Sequence, residues 1–515
     1  MKRTPLAIGL VMILLLNLQV MATTADHSKF EILQQEFNSG PEVTKACLTC
    51  HTEASMQIHA TKHWTWDVTS HQDQNLGKRH VINNFCIGVQ GNEPRCTSCH
   101  TGFGWKDDSF DFTSEERVDC LVCHDKTGTY KKFPTKAGDP VLKDTKFKTK
   151  MFKGVDLAYV AQNVGETSRE TCGACHFYGG GGDGVKHGDL DGSLLKPTRQ
   201  LDVHMGVDGE NFSCSQCHST DEHSISGSRY DPLAIDHHGI DLPASDLSSS
   251  TCESCHGLSP HIAVPKYNDH VDKVACQTCH IPFMAVERPT KMWWDWSKAG
   301  KFDKNGKPLK IKDERGFVTY MTAKGEFVWE QNIEPEYKWF NGNNKYVLPG
   351  DPIDDSGVVV INPFEGSYED PEARIWPVKV HRGKQIYDSK NKTFVVPKLF
   401  GKKGSGAYWK DYDWDKAIRT NAEEFNFEYS GEYGFVETEM NWALNHMVQP
   451  KENALTCNDC HSRDGRLAGL GDFYMPGRDS WSWLDILGKL MIMGSLLGVI
   501  VHGSIRYVAG RRRNS

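Results

Sequence analysis

The chain has 515 residues, 38% of them apolar, and a formal net charge of −8. Such a length is ordinary for about three domains. The acidic balance argues against a nucleic-acid partner, while a local basic pocket for a small anion stays compatible with it.

The first residues read as a secretory signal over 1–25. Lys2 and Arg3 form the charged region, Leu6 to Val20 the apolar region, and Ala22 or Ala25 closes a small-residue cleavage site. An uncleaved anchor is the alternative, and the apolar run is short for one.

From Cys47 onward the pattern Cys-x-x-Cys-His recurs eight times and uses sixteen of the seventeen cysteines. The cysteine pairs are Cys47/Cys50, Cys96/Cys99, Cys120/Cys123, Cys172/Cys175, Cys214/Cys217, Cys252/Cys255, Cys276/Cys279 and Cys457/Cys460. Their histidines are His51, His100, His124, His176, His218, His256, His280 and His461. This is the c-type haem attachment signature: two thiols add to the vinyl groups and the next histidine is placed to ligate iron. Zinc sites space their ligands more variably and do not require a histidine after every second cysteine. Eight covalent haems are expected, and their porphyrins would act as core material for a chain with few apolar residues. The expected fold is mainly α with long irregular loops, organised around those haems. Haem attachment outside the bacterial cytoplasmic membrane agrees with export.

Seven motifs fall within 26–281, read as a seven-haem domain. Gly179 to Gly182 is a four-glycine loop directly after motif four. No phosphate-loop signature follows it, so close approach of backbone to a haem or substrate is the simpler account. Residues 282–441 carry no motif. Phe317 to Tyr320, Phe327 to Trp329, Val358 to Ile361 and Thr393 to Val396 are β-prone there, with turn signals at Asn305-Gly306, Lys324-Gly325 and Asn341-Gly342. A small β-containing insertion is expected, with Thr420 to Val448 more helical and leading into an eighth-haem segment over 442–480.

The chain then turns apolar. From Ile486 to Ile505 only Lys489 is charged, with Trp481 and Trp483 before the run and Arg506, Arg511, Arg512 and Arg513 after it. A transmembrane helix over 484–505 with a cytoplasmic basic tail over 506–515 is expected, and an amphipathic surface helix is the alternative. His502 alone is weak support for a further haem.

Each saturated iron needs a second axial ligand, and fifteen histidines lie outside the motifs. They include His27, His381 and His502; those ranked as distal ligands are His59, His63, His80, His187, His204, His223, His238, His261, His270 and His446. Counting does not say whether one iron stays open. The seventeenth cysteine, Cys86 in Asn83-Asn84-Phe85-Cys86, lies ten residues before motif two. It is either an inert buried thiol or one poised beside a substrate-binding haem.

These residues resemble the octahaem tetrathionate reductase family, distant relatives of hydroxylamine oxidoreductases and pentahaem nitrite reductases. The resemblance rests on the motif number and spacing, on Asn83 to Cys86 before Cys96-Thr97-Ser98-Cys99-His100, and on Gly179-Gly180-Gly181-Gly182-Asp183-Gly184-Val185-Lys186-His187-Gly188-Asp189. The C-terminal anchor departs from the soluble form of the family. The resemblance implies a catalytic haem two whose iron takes a lysine amine in place of His100. It maps that lysine to Lys186 with Asp183 nearby, ahead of Lys153 and Lys132, and lines the opposite face with Asn83 and Cys86. Deprotonating a free lysine at pH 7 costs about 4.6 kcal/mol, which iron coordination and burial must exceed. A solvated loop lysine is the plain alternative for Lys186.

The function implied is a reductase passing electrons through bis-histidine haems to haem two, where tetrathionate, and also nitrite or hydroxylamine, is reduced. A non-catalytic electron-transfer cytochrome and a hydroxylamine or hydrazine oxidoreductase are the alternatives. The expected partners are a small anionic sulfur or nitrogen oxidant, a quinol-linked or cytochrome electron donor and the membrane, with homo-oligomerisation a further expectation. The expected location is the periplasmic side of the bacterial inner membrane.

Overall fold

The computed structural model describes residues 25–70, 72–147, 150–230, 232–240 and 250–513, so the expected signal over 1–25 lies almost wholly outside the described residues. Most helices are one or two turns long and sit at the motifs. Gly40–Cys47 begins at a Ser39 cap with proline in its first turn and delivers Cys47. Arg169–His176 opens with a reciprocal Ser168/Thr171 capping box and carries motif four. Helical spacing explains the use of such turns, because residues at i, i+3 and i+4 share one face. In motif two the helical turn stops at Cys99, and His100 is extended (φ −71°, ψ 147°).

The largest element is a nine-stranded sheet between 290 and 443. Its strands are β1 (Thr290–Asp295), β2 (Lys310–Lys312), β3 (Val318–Met321), β4 (Gly325–Glu330), β5 (Glu336–Phe340), β6 (Val359–Val360), β7 (Arg374–Asp388), β8 (Thr393–Phe394) and β9 (Tyr433–Ala443). The order is β6-β9-β7-β1-β4-β3-β2, with β5 and β8 also pairing β7. The β-prone runs correspond to β3, β4, β6 and β8. The longest strand, β7, was masked in the sequence by Pro377 and five basic side chains. Within Thr420 to Val448, the expected helix is confined to the end of Trp414–Phe425, and 433–443 is strand. Glu437 and Glu439 stand there opposite Lys384 and Arg382, cross-strand charge pairs at 3.9 and 2.9 Å that a helical reading does not anticipate.

One face of β7 carries Lys379, His381, Gly383 and Gln385, since side chains two residues apart share a face. Antiparallel β9 places Trp442, Met440 and Thr438 beside them. This face packs on the loops around motif two: Leu76, Val81, Phe85, Ile87 and Val185 share one core with Trp294, Phe327, Met440 and Trp442. The haem-free segment is therefore continuous with the motif-bearing chain. Gly383 permits the close approach of β1, as a Cβ there would lie 2.7 Å from the Trp294 carbonyl oxygen.

The chain ends in Ser482–Arg513, a 32-residue helix with a window of mean hydropathy 2.0. It is long and apolar enough to cross a membrane, and three arginines close its last turn.

A buried ion pair ties the sheet to motif six: Arg374 at the start of β7 reaches Glu253 in Glu253–His256. Arg374→Met would leave that carboxylate buried without a counter-ion, at about 3–5 kcal/mol. The expected result is a markedly lower thermal unfolding midpoint, measured on the haem-loaded protein.

Candidate functional site

Seven motif histidines face a second histidine ring. His51 faces His27 (6.2 Å between ring centres), His124 faces His223 (6.4 Å), His176 faces His63 (6.1 Å) and His218 faces His446 (6.2 Å). His256 faces His204 (6.0 Å), His280 faces His261 (6.2 Å) and His461 faces His270 (6.1 Å). A metal between two imidazoles, with bonds of about 2 Å and each ring centre roughly 1.1 Å beyond its nitrogen, separates the centres by about 6.2 Å. Direct packing of two rings does not require that gap seven times over. The rings fit an iron between them.

Their orientation agrees. Nδ1 donates to Gly165 O from His124 (2.8 Å), to Ser226 O from His218 (3.0 Å) and to Pro476 O from His461 (2.9 Å). It likewise donates to Gln57 Oε1 from His223, to Asn268 Oδ1 from His261 and to Asp189 Oδ2 from His446. These acceptors fix the tautomer and leave Nε2 as the lone-pair nitrogen toward the partner ring. His27, not among the ranked ligands, takes a place opposite motif one. Four of the ten ranked distal histidines do not oppose a motif histidine among the described residues. His187 packs edge-on against Trp442 at 5.0 Å, and His238 is largely exposed with its Nδ1 3.3 Å from Asp236. His59 stacks on Trp64 and His80 pairs with Asp67, so neither is a partner.

Motif two differs. His100 is fully buried, with Nε2 donating to the Trp64 carbonyl at 2.7 Å. Its ring lies among Trp64, Trp66, Trp105 and Phe110, with centres 4.8–5.5 Å away. Burial holds its pKa down to about 3, so the neutral ring spends its ligating nitrogen on a peptide oxygen. Trp64 follows His63, the partner of His176, so one short helix serves motif four and holds the motif-two histidine aside.

Of the three candidate lysines, Lys153 is exposed and paired with Asp144 at 2.7 Å, and Lys132 is buried in an ion pair with Asp119 at 3.0 Å. Lys186 instead points its amine over Trp442 (4.6 Å), a ring that Arg229 also covers at 3.5 Å. The protein packed around Lys186 holds its amine pKa well below the usual lysine range, Arg229 and Lys78 adding to the effect, and the Cys99 thiol is close enough to act on it. Lys379 on β7 secures this loop, donating to the carbonyls of Val185 (3.1 Å) and Lys186 (3.0 Å).

Across the loop stands Cys86. Asn83 builds its turn: Oδ1 accepts from the amides of Phe85 and Cys86, and Nδ2 donates to Ile87 O. The Asn83 side chain thus positions Cys86. Ile87, a buried β-branched residue, is held at φ +65°, a costly conformation that fixes the thiol's place. Asp183 is also occupied, accepting from Gly192 N (2.7 Å) and pairing with Arg288 (3.0 Å), so it braces the glycine loop. Gly180 at φ +74° lies against the Phe85 ring, where a Cβ would come within 3.2 Å.

The chain resembles the octahaem cytochrome c of Shewanella oneidensis, known from a crystal structure: 45% identical, TM-score 0.76, covering 87% of this chain and 97% of that one. The chain belongs to the octahaem cytochromes c of the tetrathionate reductase family. A bacterial cytochrome c family profile also matches residues 291–464, the sheet and motif eight. An uncharacterised protein of Archaeoglobus fulgidus is 23% identical over 260 residues, 42% of this chain and 86% of the relative. This octahaem-family cytochrome has covalently bound c-type haems in a fold of short helices, long loops and a β segment, with one apolar C-terminal helix.

The attachment cysteines give the cytochrome's motifs an order in space. Contacts join Cys47 to Cys120, Cys172 to Cys214, and Cys252 to Cys276, while Cys217 adjoins Cys255 and Cys279 adjoins Cys460. Cys123 adjoins Cys172, and Cys99 of motif two meets Cys175 of motif four. The succession one-three-four-five-six-seven-eight has motif two as a branch at motif four.

Cys50 of motif one is exposed, as are Cys255 and Cys457, whereas the other motif cysteines are partly buried. The Cys50 thiol lies 3.8 Å from the Thr49 hydroxyl, its own chain neighbour, rather than against a cysteine of another motif. Motifs one and eight end the succession, so Cys50 and Cys457 have other motifs on one side only. The place of Cys50 in Cys-x-x-Cys-His still marks it for attachment, at the rim of the haem series.

Sequence reasoning missed His27 as a ligand, and missed Arg229, Trp442 and Lys379 altogether. Lys379→Met should release the Val185 and Lys186 carbonyls and destabilise the protein by about 1–3 kcal/mol. Faster amide hydrogen exchange over 184–188 than in the parent protein is the measurement.

Proposed function

We propose that this cytochrome is a reductase that carries eight haems and acts at haem two, with tetrathionate its substrate and nitrite and hydroxylamine further ones. When bound, the haems would be held by the attachment cysteines and the seven histidine pairs and would supply one-electron transfer, and the two-electron reduction of tetrathionate to two thiosulfates would take place at motif two beside Lys186. The observation that carries this reading is that His100 gives Nε2 to Trp64 while the other seven motif histidines each face a partner ring. In this reading Lys186 is the amine that would ligate at motif two, with Lys379 holding its loop and Cys86 on the facing loop. Arg229 and Lys78, beside Lys186, favour an anionic substrate. The runner-up, a pure electron carrier, requires every iron to be saturated by histidine. The donor in this reading is a quinol-linked or cytochrome chain, on the periplasmic face of the inner membrane.

Electron paramagnetic resonance is expected to resolve a haem unlike the bis-histidine set. Eight equivalent bis-histidine signals would remove the reductase reading. Lys186→Ala should lower tetrathionate turnover with reduced dye at least about 100-fold while all eight haems remain attached. For the anchor, a chain ending at Trp481 should move to the soluble fraction, whereas the full chain stays with membranes after high-salt washing.

A further inference from the structure

Cys86 shares its surroundings with two lysines that the reductase reading does not use. Lys324, in the turn between β3 and β4, has its Nζ 3.9 Å from Cys86 Sγ. A Cβ built on Gly181 would lie 3.8 Å from both of these atoms, so the thiol and the lysine border the position a side chain would take there. Trp409 and Trp294 flank Lys324, with ring centres 4.7 and 5.5 Å from Nζ. Lys291 on β1 approaches the same Trp294 ring at 3.8 Å and Phe327 at 3.6 Å. Lys291 is 5% exposed, and among the described residues it has aromatic faces but no carboxylate or carbonyl partner. Among the described residues Lys324 has no such oxygen partner either. Burial depresses the Lys291 amine well below its usual pKa, and both Lys324 and Cys86 are close enough to act on it.

The Lys324 ammonium stands against a largely aromatic wall without a counter-ion among the described residues, and burial makes charging the Lys291 amine behind it costly. An incoming anion offsets that cost. On the Gly181 side, next to the one cysteine outside the haem motifs, no side chain stands between Lys324 and the thiol.

We propose that Lys324, backed by Lys291, is an oxyanion subsite at Cys86 that holds the terminal sulfonate of a sulfur oxyanion while its sulfur–sulfur bond lies toward the thiol. The proposal rests on the reductase reading for the identity of the substrate, but not for the existence of the anion site. Hydroxylamine is neutral and makes no use of such a subsite, so the lysines would sort substrates by charge.

In the haem-loaded protein the sixteen motif cysteines are thioether-bound, leaving Cys86 as the thiol open to alkylation. Thiosulfate should slow iodoacetamide labelling of Cys86, read by mass spectrometry, about tenfold in the parent protein. Lys324→Gln should abolish this protection and Lys324→Arg should restore part of it. Equal protection in Lys324→Gln, no protection in the parent, or a Cys86 that the reagent never reaches would each overturn the subsite. So would an altered reduction potential of haem two with protection intact, which would assign Lys324 to a haem propionate. In turnover, Lys324→Gln should cut the tetrathionate-to-hydroxylamine ratio of kcat/KM about tenfold. A parent protein that reduces neither compound would sink the reductase reading, and the labelling result would still decide the anion site.

Discussion

Pairs of imidazole rings held about 6 Å apart, with Nδ1 of six rings across the seven pairs tied back to the protein, are the constraint on which this molecule is built. The gap suits one iron and is wasteful for anything else. Meeting it seven times obliges distant segments to converge: His27 with motif one, His63 with motif four, His223 with motif three, His446 with motif five. Short helices serve this better than long ones, because a single turn presents two thiols and an imidazole and then frees the chain to cross to another site.

The exception at motif two follows from the same economy of parts. The Lys62–Thr65 turn contains both His63, which faces His176, and Trp64, whose carbonyl accepts from His100. Seated in a cage of four aromatic rings, His100 cannot swing back without exposing them. The departure at motif two therefore shares one helical turn with the completion of motif four.

The nine-stranded sheet supplies the stiffness that those loops lack. A four-glycine stretch cannot hold a lysine in place by itself, since glycine has the most conformational freedom to lose. Lys379 and Trp442, neighbours across β7 and β9, clasp the Lys186 segment, while Asn84 is fixed by the His381 carbonyl and the Thr438 hydroxyl. The segment without haem motifs is the platform of the site. Its contribution also has a sign: the groups it brings near Cys86 are cationic, on a chain whose net charge is negative.

The sequence alone determined the attachment chemistry, because cysteine spacing and the adjoining histidine are local and follow from one helical turn. It likewise determined the apolar C-terminal helix and the turn glycines, which depend on neighbours in the chain. The odd cysteine count singled out Cys86, and resemblance singled out Lys186. Only the tertiary structure decided the histidine pairs, for a pair such as His218 and His446 is separated by more than two hundred residues and no spacing rule connects its members. It alone decided that His187 and His238 stand apart from those pairs, that Cys50 sits at an exposed rim, that Asn83 and Asp183 spend their side chains bracing loops, and that β7 is a strand despite its charges. Long-range contacts carry each of these outcomes, and a linear pattern records none of them.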